Sequence, residues 1–184
     1  RDLHSFPTRR SSDLLEVVRA ERTGKDVVAT AMALAKRIGK IGVVAGVCHG
    51  FIGNRMLEAY LEEVQAMLLE GARPSEIDAA LEGFGLAMGP NAMMDLAGLD
   101  VGWRIRQEQR RTGTLRDEKA RLYRVADGFI ETGRHGQKTG AGFYRYAPGD
   151  RRPLPDPEIE ALYEAEAARQ GIAQRKPSAD EIVE

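Results

Sequence analysis

Gly50-Phe51-Ile52-Gly53-Asn54-Arg55-Met56 is the stretch on which the reading of this chain turns. It lies between a short apolar run, Ile41 to Ala45, and the longest helical pattern in the sequence, Phe51 to Glu70. Glycines at 50 and 53 let the chain turn sharply from strand into helix. They also leave the first backbone N–H groups of that helix accessible. Asn54 falls in the first helical turn, where a side-chain amide can donate to a carbonyl and accept from a hydroxyl at once. An Asn there can equally serve as a helix cap, and spacing leaves both readings open.

Toward the N-terminus, Leu14 to Arg19 is a short apolar run with two valines and reads as a strand. Thr23 or Gly24 opens a helix in which Val27, Val28, Ala31, Leu34, Ala35 and Ile38 recur at helical spacing, with Gly39 as its stop. With Ile41 to Ala45 this makes one strand–helix–strand crossover. Two strands are too few for a sheet that is stable alone, so the segment is expected to need a neighbour.

Toward the C-terminus the pattern is helical throughout. Phe51 to Glu70 places Met56, Leu57, Tyr60, Leu61, Val64, Met67 and Leu68 on one face and ends at Gly71. Pro74 opens a short helix to Leu81, as proline does best in a first turn. Gly83 to Gly89 reads as a loop. Pro90 opens a helix interrupted by Gly98, Asp100 can cap another to about Arg111, and Asp117 to Glu131 is helical. Gly133 to Gly142 is a Gly-rich loop leading into the aromatic segment Phe143 to Tyr146. Four prolines from Pro148 to Pro157 read as an extended surface linker. A helix from Pro157 to Arg169 follows, with Glu158, Glu160, Glu164 and Glu166 on its wet side. Ser178-Ala179-Asp180-Glu181 is a capping box, opening a helix whose continuation is expected past Glu184.

With 184 residues, 42% hydrophobic and 30% charged, the chain has the balance of a soluble globular domain. A net charge of −1 gives no bulk pull toward nucleic acid or an anionic membrane. No apolar run approaches the roughly 20 residues of a membrane span. Cys48 is the single cysteine and cannot form an internal disulfide, so a reducing, cytoplasmic location is expected, with Cys48 as a small buried residue. His49 and His135 lie beside glycines without partners at metal-ligand spacing, so no metal site is expected.

The opening stretch RDLHSFPTRRSSDL has no helical or strand periodicity. It reads as the in-frame translation of a common short-read sequencing adapter, so residues 1–14 are expected to be a non-native artefact, with native sequence starting at about Leu14 or Leu15.

Three motifs, in order, carry a family resemblance. Gly50-Phe51-Ile52-Gly53-Asn54-Arg55 resembles the G-F-[IV]-x-N-R signature of 3-hydroxyacyl-CoA dehydrogenases. Leu86-Ala87-Met88-Gly89-Pro90 with Asp95-Leu96-Ala97-Gly98-Leu99-Asp100 resembles that family's P-M-G-P…D-x-x-G-L-D. Gly136-Gln137-Lys138-Thr139-Gly140-Ala141-Gly142-Phe143-Tyr144 resembles its G-x-K-T-G-x-G-F-Y. The tail, Arg145-Tyr146, Leu154-Pro155-Asp156-Pro157-Glu158 and Asp180-Glu181-Ile182-Val183-Glu184, resembles multifunctional β-oxidation proteins that join an enoyl-CoA hydratase to the dehydrogenase.

The resemblance implies a mainly α fold. A 6-phosphogluconate-dehydrogenase-C-terminal-like helical domain over 47–146 would be preceded by a strand–helix–strand remnant of a Rossmann domain over 15–46 and followed over 147–184 by a linker and the start of a further helical region. It implies hydride transfer between C3 of a 3-hydroxyacyl-CoA and NAD, with a His–Glu pair as acid and base. Glu16, in Leu14-Leu15-Glu16-Val17-Val18, matches the carboxylate. His4 precedes it at family spacing, but Pro7 sits one residue early and no second Phe follows, so His4 is not assigned. Asn54 matches the residue that contacts acyl-CoA, with Gly53 beside it, and Lys138 and Arg134 could meet anionic groups of CoA. Asp95 and Asp100 read as cap or network residues, and Trp103, Leu99 and Met93 as core or interface.

No G-x-G-x-x-G follows a strand in this sequence. The chain alone is therefore expected neither to bind NAD well nor to turn over substrate. Its implied partners are the rest of the Rossmann domain and a second helical domain or a homodimer mate. The alternative is a non-catalytic helical dimerisation or structural module of the same fold, as lens λ-crystallin resembles these dehydrogenases.

Overall fold

β1 (Leu14–Arg19) and β2 (Ile41–Gly46) pair in parallel, Leu14 opposite Ile41 through Arg19 opposite Gly46. A parallel pair needs a crossover, and α1 (Lys25–Arg37) supplies it. The structure, a computed structural model, describes residues 13–184. Gly42 of β2 lets α1 settle close to the strands, since a Cβ there would lie 2.9 Å from that of Ala35. Among the described residues of this strand–helix–strand segment, Ala35 and Ala45 are the buried hydrophobics, whereas Val27, Leu34, Ile38, Ile41 and Val47 are exposed. The apolar pattern of α1 is therefore only half used by the described strands.

The chain divides between Ala59 and Tyr60. The division falls inside α2 (Gly53–Leu69). The unit from Tyr60 onward holds α3 (Pro74–Phe84), α4 (Pro90–Ala97), α5 (Leu99–Arg111), α6 (Asp117–Leu122), α7 (Arg124–Glu131), α8 (Pro157–Gln170) and α9 (Ala179–Val183). Its core gathers Val64, Leu68, Ile77, Phe129, Phe143 and Ile159, all within 1% of complete burial. Phe143 meets Phe129 edge-on at 5.3 Å and stacks on Tyr163 at 6.5 Å, the geometries that ring quadrupoles favour.

Several expectations need correction. Met56 is 71% exposed, so the buried face of α2 begins later, with Val64 and Gln65. Cys48 is exposed, because it sits in the turn after β2 and not under a helix. The helix expected over Asp117 to Glu131 breaks at Tyr123, which is buried with the Arg106 guanidinium 4.2 Å from its ring centre. Asp100 does not cap α5: Gly98, with φ of 94°, does, and Asp100 lies in the first turn. Glu166 is buried, not wet, because Arg169, Gln170 and Arg124 converge on it.

The segment after 146 belongs to the same core. Ile159, Tyr163 and Ala167 of α8 and Ile182 of α9 are buried in it. Nor is Pro148 to Pro157 all surface. Asp156 is buried, accepts the Glu158 N–H to cap α8, and takes hydrogen bonds from Arg134 and Arg145. The Ser178–Glu181 capping box is present at α9, with Ser178 Oγ and the Glu181 carboxylate each accepting the other's N–H.

Candidate active-site residues and their setting

The signature stretch opens α2 by way of two left-handed residues. Gly50 has φ of 72° and Phe51 φ of 47°. Glycine adopts that conformation freely, whereas a bulky Phe does so only under constraint. Asn54 N–H closes back on the Gly50 carbonyl at 3.1 Å. The turn aims the first amide of α2 at β1: Gly53 N–H donates to Glu16 Oε1 at 2.8 Å. Glu16 and Gly53, singled out separately in the sequence, are thus brought into contact.

The favourable end of a helix dipole faces an anion here. Oε1 of Glu16 is committed to the amide, and a carboxylate has a second oxygen with which to receive an imidazole N–H. Asn54, one residue further on, is exposed. Nearby, His49 Nε2 lies 3.9 Å from Glu58, and the Arg55 guanidinium lies 3.9 Å from Cys48 Sγ. His4 lies outside the described residues. Among the described residues, no cluster of three or more His, Cys, Asp or Glu could hold a metal.

The second and third motifs are knotted together in the other unit. Asp95, in α4, is buried and accepts the N–H groups of Phe143 and Tyr144 and the Tyr146 hydroxyl, at 2.9 to 3.0 Å. Gly136 and Gly142 press so closely on Asp95 that a Cβ at either would collide with it. Asp78, which the sequence did not single out, caps α4 from outside that helix. It accepts the N–H groups of Asn91 and Ala92 and the Tyr144 hydroxyl. Its signal is absent from the sequence because a cap is ordinarily local, and this one reaches across 13 residues.

Burial pushes Asp78 above the usual carboxylate range and carries Asp95 up to about 6, in each case against hydrogen bonds that pull the other way. Burial, then the neighbouring carboxylates, raise Tyr144 and Tyr146, so both stay protonated donors.

Lys138 is half exposed, and its ammonium is paired with Asp100, whose other oxygen lies 3.4 Å from Arg104. That hydrogen bond from Lys138 holds the Asp100 carboxyl below its usual range. Arg134, considered as a CoA contact, is instead buried, where it donates to the Gly142 carbonyl and to Asp156. It ties the loop to α8 and offers little to a ligand.

Comparison with known proteins agrees with the motifs. Residues 50–146 match the model of the 3-hydroxyacyl-CoA dehydrogenase C-terminal domain. Residues 2–48 match that of the NAD-binding domain, a match beginning within the stretch set apart as non-native. A peroxisomal bifunctional enzyme of Danio rerio is 49% identical over 99% of this chain and 27% of its own length. The chain thus spans about a quarter of the length of these curated relatives.

Among solved structures, the dehydrogenase part of multifunctional enzyme 1 from C. elegans is similar with a TM-score of 0.67 and 26% identity, covering 94% of this chain and 37% of that one. The 3-hydroxybutyryl-CoA dehydrogenase of Escherichia coli K12 is similar with a TM-score of 0.64 and 32% identity, covering 78% and 30%. With three motifs in order and a family model matched across more than half its length, this chain belongs to the 3-hydroxyacyl-CoA dehydrogenase family.

Proposed function

We propose that this chain supplies the substrate-side part of an NAD-dependent 3-hydroxyacyl-CoA dehydrogenase of fatty acid β-oxidation, within a multifunctional enzyme. The observation that carries the proposal is the hydrogen bond from Gly53 N–H to Glu16, which joins the family carboxylate to the turn bearing Asn54. In the reaction, the C3 hydroxyl of a 3-hydroxyacyl-CoA loses its proton and C3 loses a hydride, giving 3-oxoacyl-CoA. Nicotinamide, when bound, supplies the hydride acceptor. No Gly-rich phosphate-binding turn occurs in this sequence, so no step at the dinucleotide is assigned to these residues.

Glu16 orients a partner imidazole and offsets the positive charge that imidazole gains as it takes the hydroxyl proton. That partner is not taken to be His4, given the misplaced Pro7. Asn54, with Gly53, contacts the acyl-CoA. Lys138 meets an anionic group of CoA by exchanging its Asp100 partner for it. The remaining partners are the rest of the Rossmann domain and a second helical domain or a second copy. The single cysteine supports a reducing compartment, cytoplasmic or peroxisomal like the Danio rerio relative. Among the described residues no helix is long and apolar enough to cross a membrane.

The test is NADH oxidation with acetoacetyl-CoA. The complete protein should turn over, and its Glu16→Gln variant should lose roughly 10²- to 10⁴-fold in kcat, the usual share of general acid–base catalysis. Asn54→Ala should raise KM as well. Full activity in both variants would overturn the reading. The chain alone should oxidise no NADH. A helical docking module stays a second reading, because Val101 and Ile105, one turn apart on α5, are about half exposed. Sedimentation of the chain as a dimer would favour it.

A further inference from the structure

We infer that the Gly50–Gly53 turn is a positioning element for the acid–base pair, acting through the backbone N–H of Gly53 on Glu16; this rests on the function proposed above. Three observations converge. The N–H donates to Oε1 at 2.8 Å across 37 residues of sequence, so the contact comes from the fold and not from neighbouring chain. Gly53 has no side chain to intervene, and a Cβ there would sit 3.3 Å from the same oxygen. Phe51, immediately upstream, is held at a φ of 47° that only surrounding structure can maintain. A non-glycine residue in that region costs on the order of 1–3 kcal/mol and persists where its surroundings over-determine it.

A carboxylate on a strand keeps rotational freedom about its side chain, and an imidazole bonded to it would share that freedom. Tethering one oxygen to a rigid amide removes it. Oε1 is fixed by the first N–H of α2, which leaves Oε2 as the oxygen presented to the imidazole. The helix N-terminus also places partial positive charge beside the carboxylate. The turn therefore sets the aim of Glu16, while Asn54, one residue later on the same helix, faces substrate. One rigid segment then locates the base pair and the substrate contact together, and small errors in such placement are costly to rate.

The experiment uses the complete protein. Gly53→Pro deletes the amide proton at the first position of a helix, where proline is tolerated, and Gly53→Ala retains it. Gly53→Pro is expected to lower kcat about tenfold or more, the scale of one lost charge-assisted hydrogen bond. The loss should fall more on kcat than on KM for acetoacetyl-CoA, and the kcat pH profile should shift in the direction seen for Glu16→Gln. Gly53→Ala, which keeps the amide but brings a Cβ to 3.3 Å from the same oxygen, should lose less kcat than Gly53→Pro.

If Glu16→Gln loses turnover while Gly53→Pro keeps it, the positioning role is overturned and the function stands. If neither loses turnover, the function itself falls. Should Gly53→Pro not fold, NMR of the 184-residue chain decides. The Gly53 amide resonance must move in Glu16→Gln by more than those of its neighbours; an amide indifferent to Glu16 overturns the inference.

Discussion

The two units of this chain are built on opposite principles. From Tyr60 onward, a set of buried aliphatic and aromatic side chains closes around Phe143, and the buried Asp78, Asp95 and Asp156 each take hydrogen bonds or ion pairs from named donors. Among its described residues, the preceding unit buries Ala35 and Ala45 as its hydrophobic core and leaves Val27, Leu34, Ile38 and Ile41 more than half exposed. Its order comes from backbone pairing, one crossover helix and the Glu16–Gly53 bond. The lesson is that a motif can sit in a region with little stability of its own. The signature glycines and Asn54 lie where the side-chain core has yet to begin, while the second and third motifs lie at its centre.

Asp95→Ala is the sharpest way to break this contrast. It strands two backbone N–H groups and a hydroxyl and leaves a cavity between Gly136 and Gly142. A loss of about 3 kcal/mol or more in urea unfolding of the larger unit is expected. A milder loss would mean that water replaces the carboxylate and the knot is looser than its geometry.

The pH dependence of the same group comes next. Burial carries its carboxyl from an ordinary 3.8 up to about 6 in the folded chain. Between those values the folded chain binds a proton that the unfolded chain has released. Asp95 therefore detracts from stability progressively as pH rises from about 4 to about 6. Relative to Asp95→Asn, the unsubstituted chain should lose stability across that window and run parallel above it. A flat difference would mean that the three hydrogen bonds hold Asp95 ionised throughout.

Amide exchange then compares the units directly. Protection in β1 and β2 should be well below that in the Val64–Leu69 turns of α2. Equal protection would show that the smaller unit is stable without further partners. Lys138→Ala should have the smallest effect, about 0 to 1 kcal/mol of stability for an exposed pair. A raised KM for acyl-CoA in the complete protein would separate a binding role from a purely structural one.

Much of this was legible beforehand, and for physical reasons. Strand and helix boundaries from Leu14 to Ala45 followed from periodicity and glycine stops, and the Ser178 capping box from local chemistry. The grouping of Asp95 with Gly136 and Gly142 was not, because their meeting spans some forty residues and depends on the absence of Cβ atoms. Cys48 was misjudged because small hydrophobic type predicts burial only where a partner element arrives, and here none does among the described residues. Glu16 could be named from its family run, but its tether to Gly53 could not. A backbone N–H leaves no trace in residue type.

One contact in the larger unit bears on the order in which the chain assembles. The last carbonyls of α2 have no partners within the helix. The Leu69 carbonyl accepts from the side chain of Gln174, and that of Glu70 accepts from the backbone N–H groups of Arg175 and Lys176. An ion pair between Glu70 and Arg175 closes the same 105-residue loop. Loop-closure entropy makes so distant a contact late to form. As the polypeptide leaves the ribosome, the longest helix must therefore wait with a frayed end until nearly all the chain described here has emerged. A nascent chain arrested before residue 174 should be cut by protease just after Leu69, and one released past Ser178 should resist.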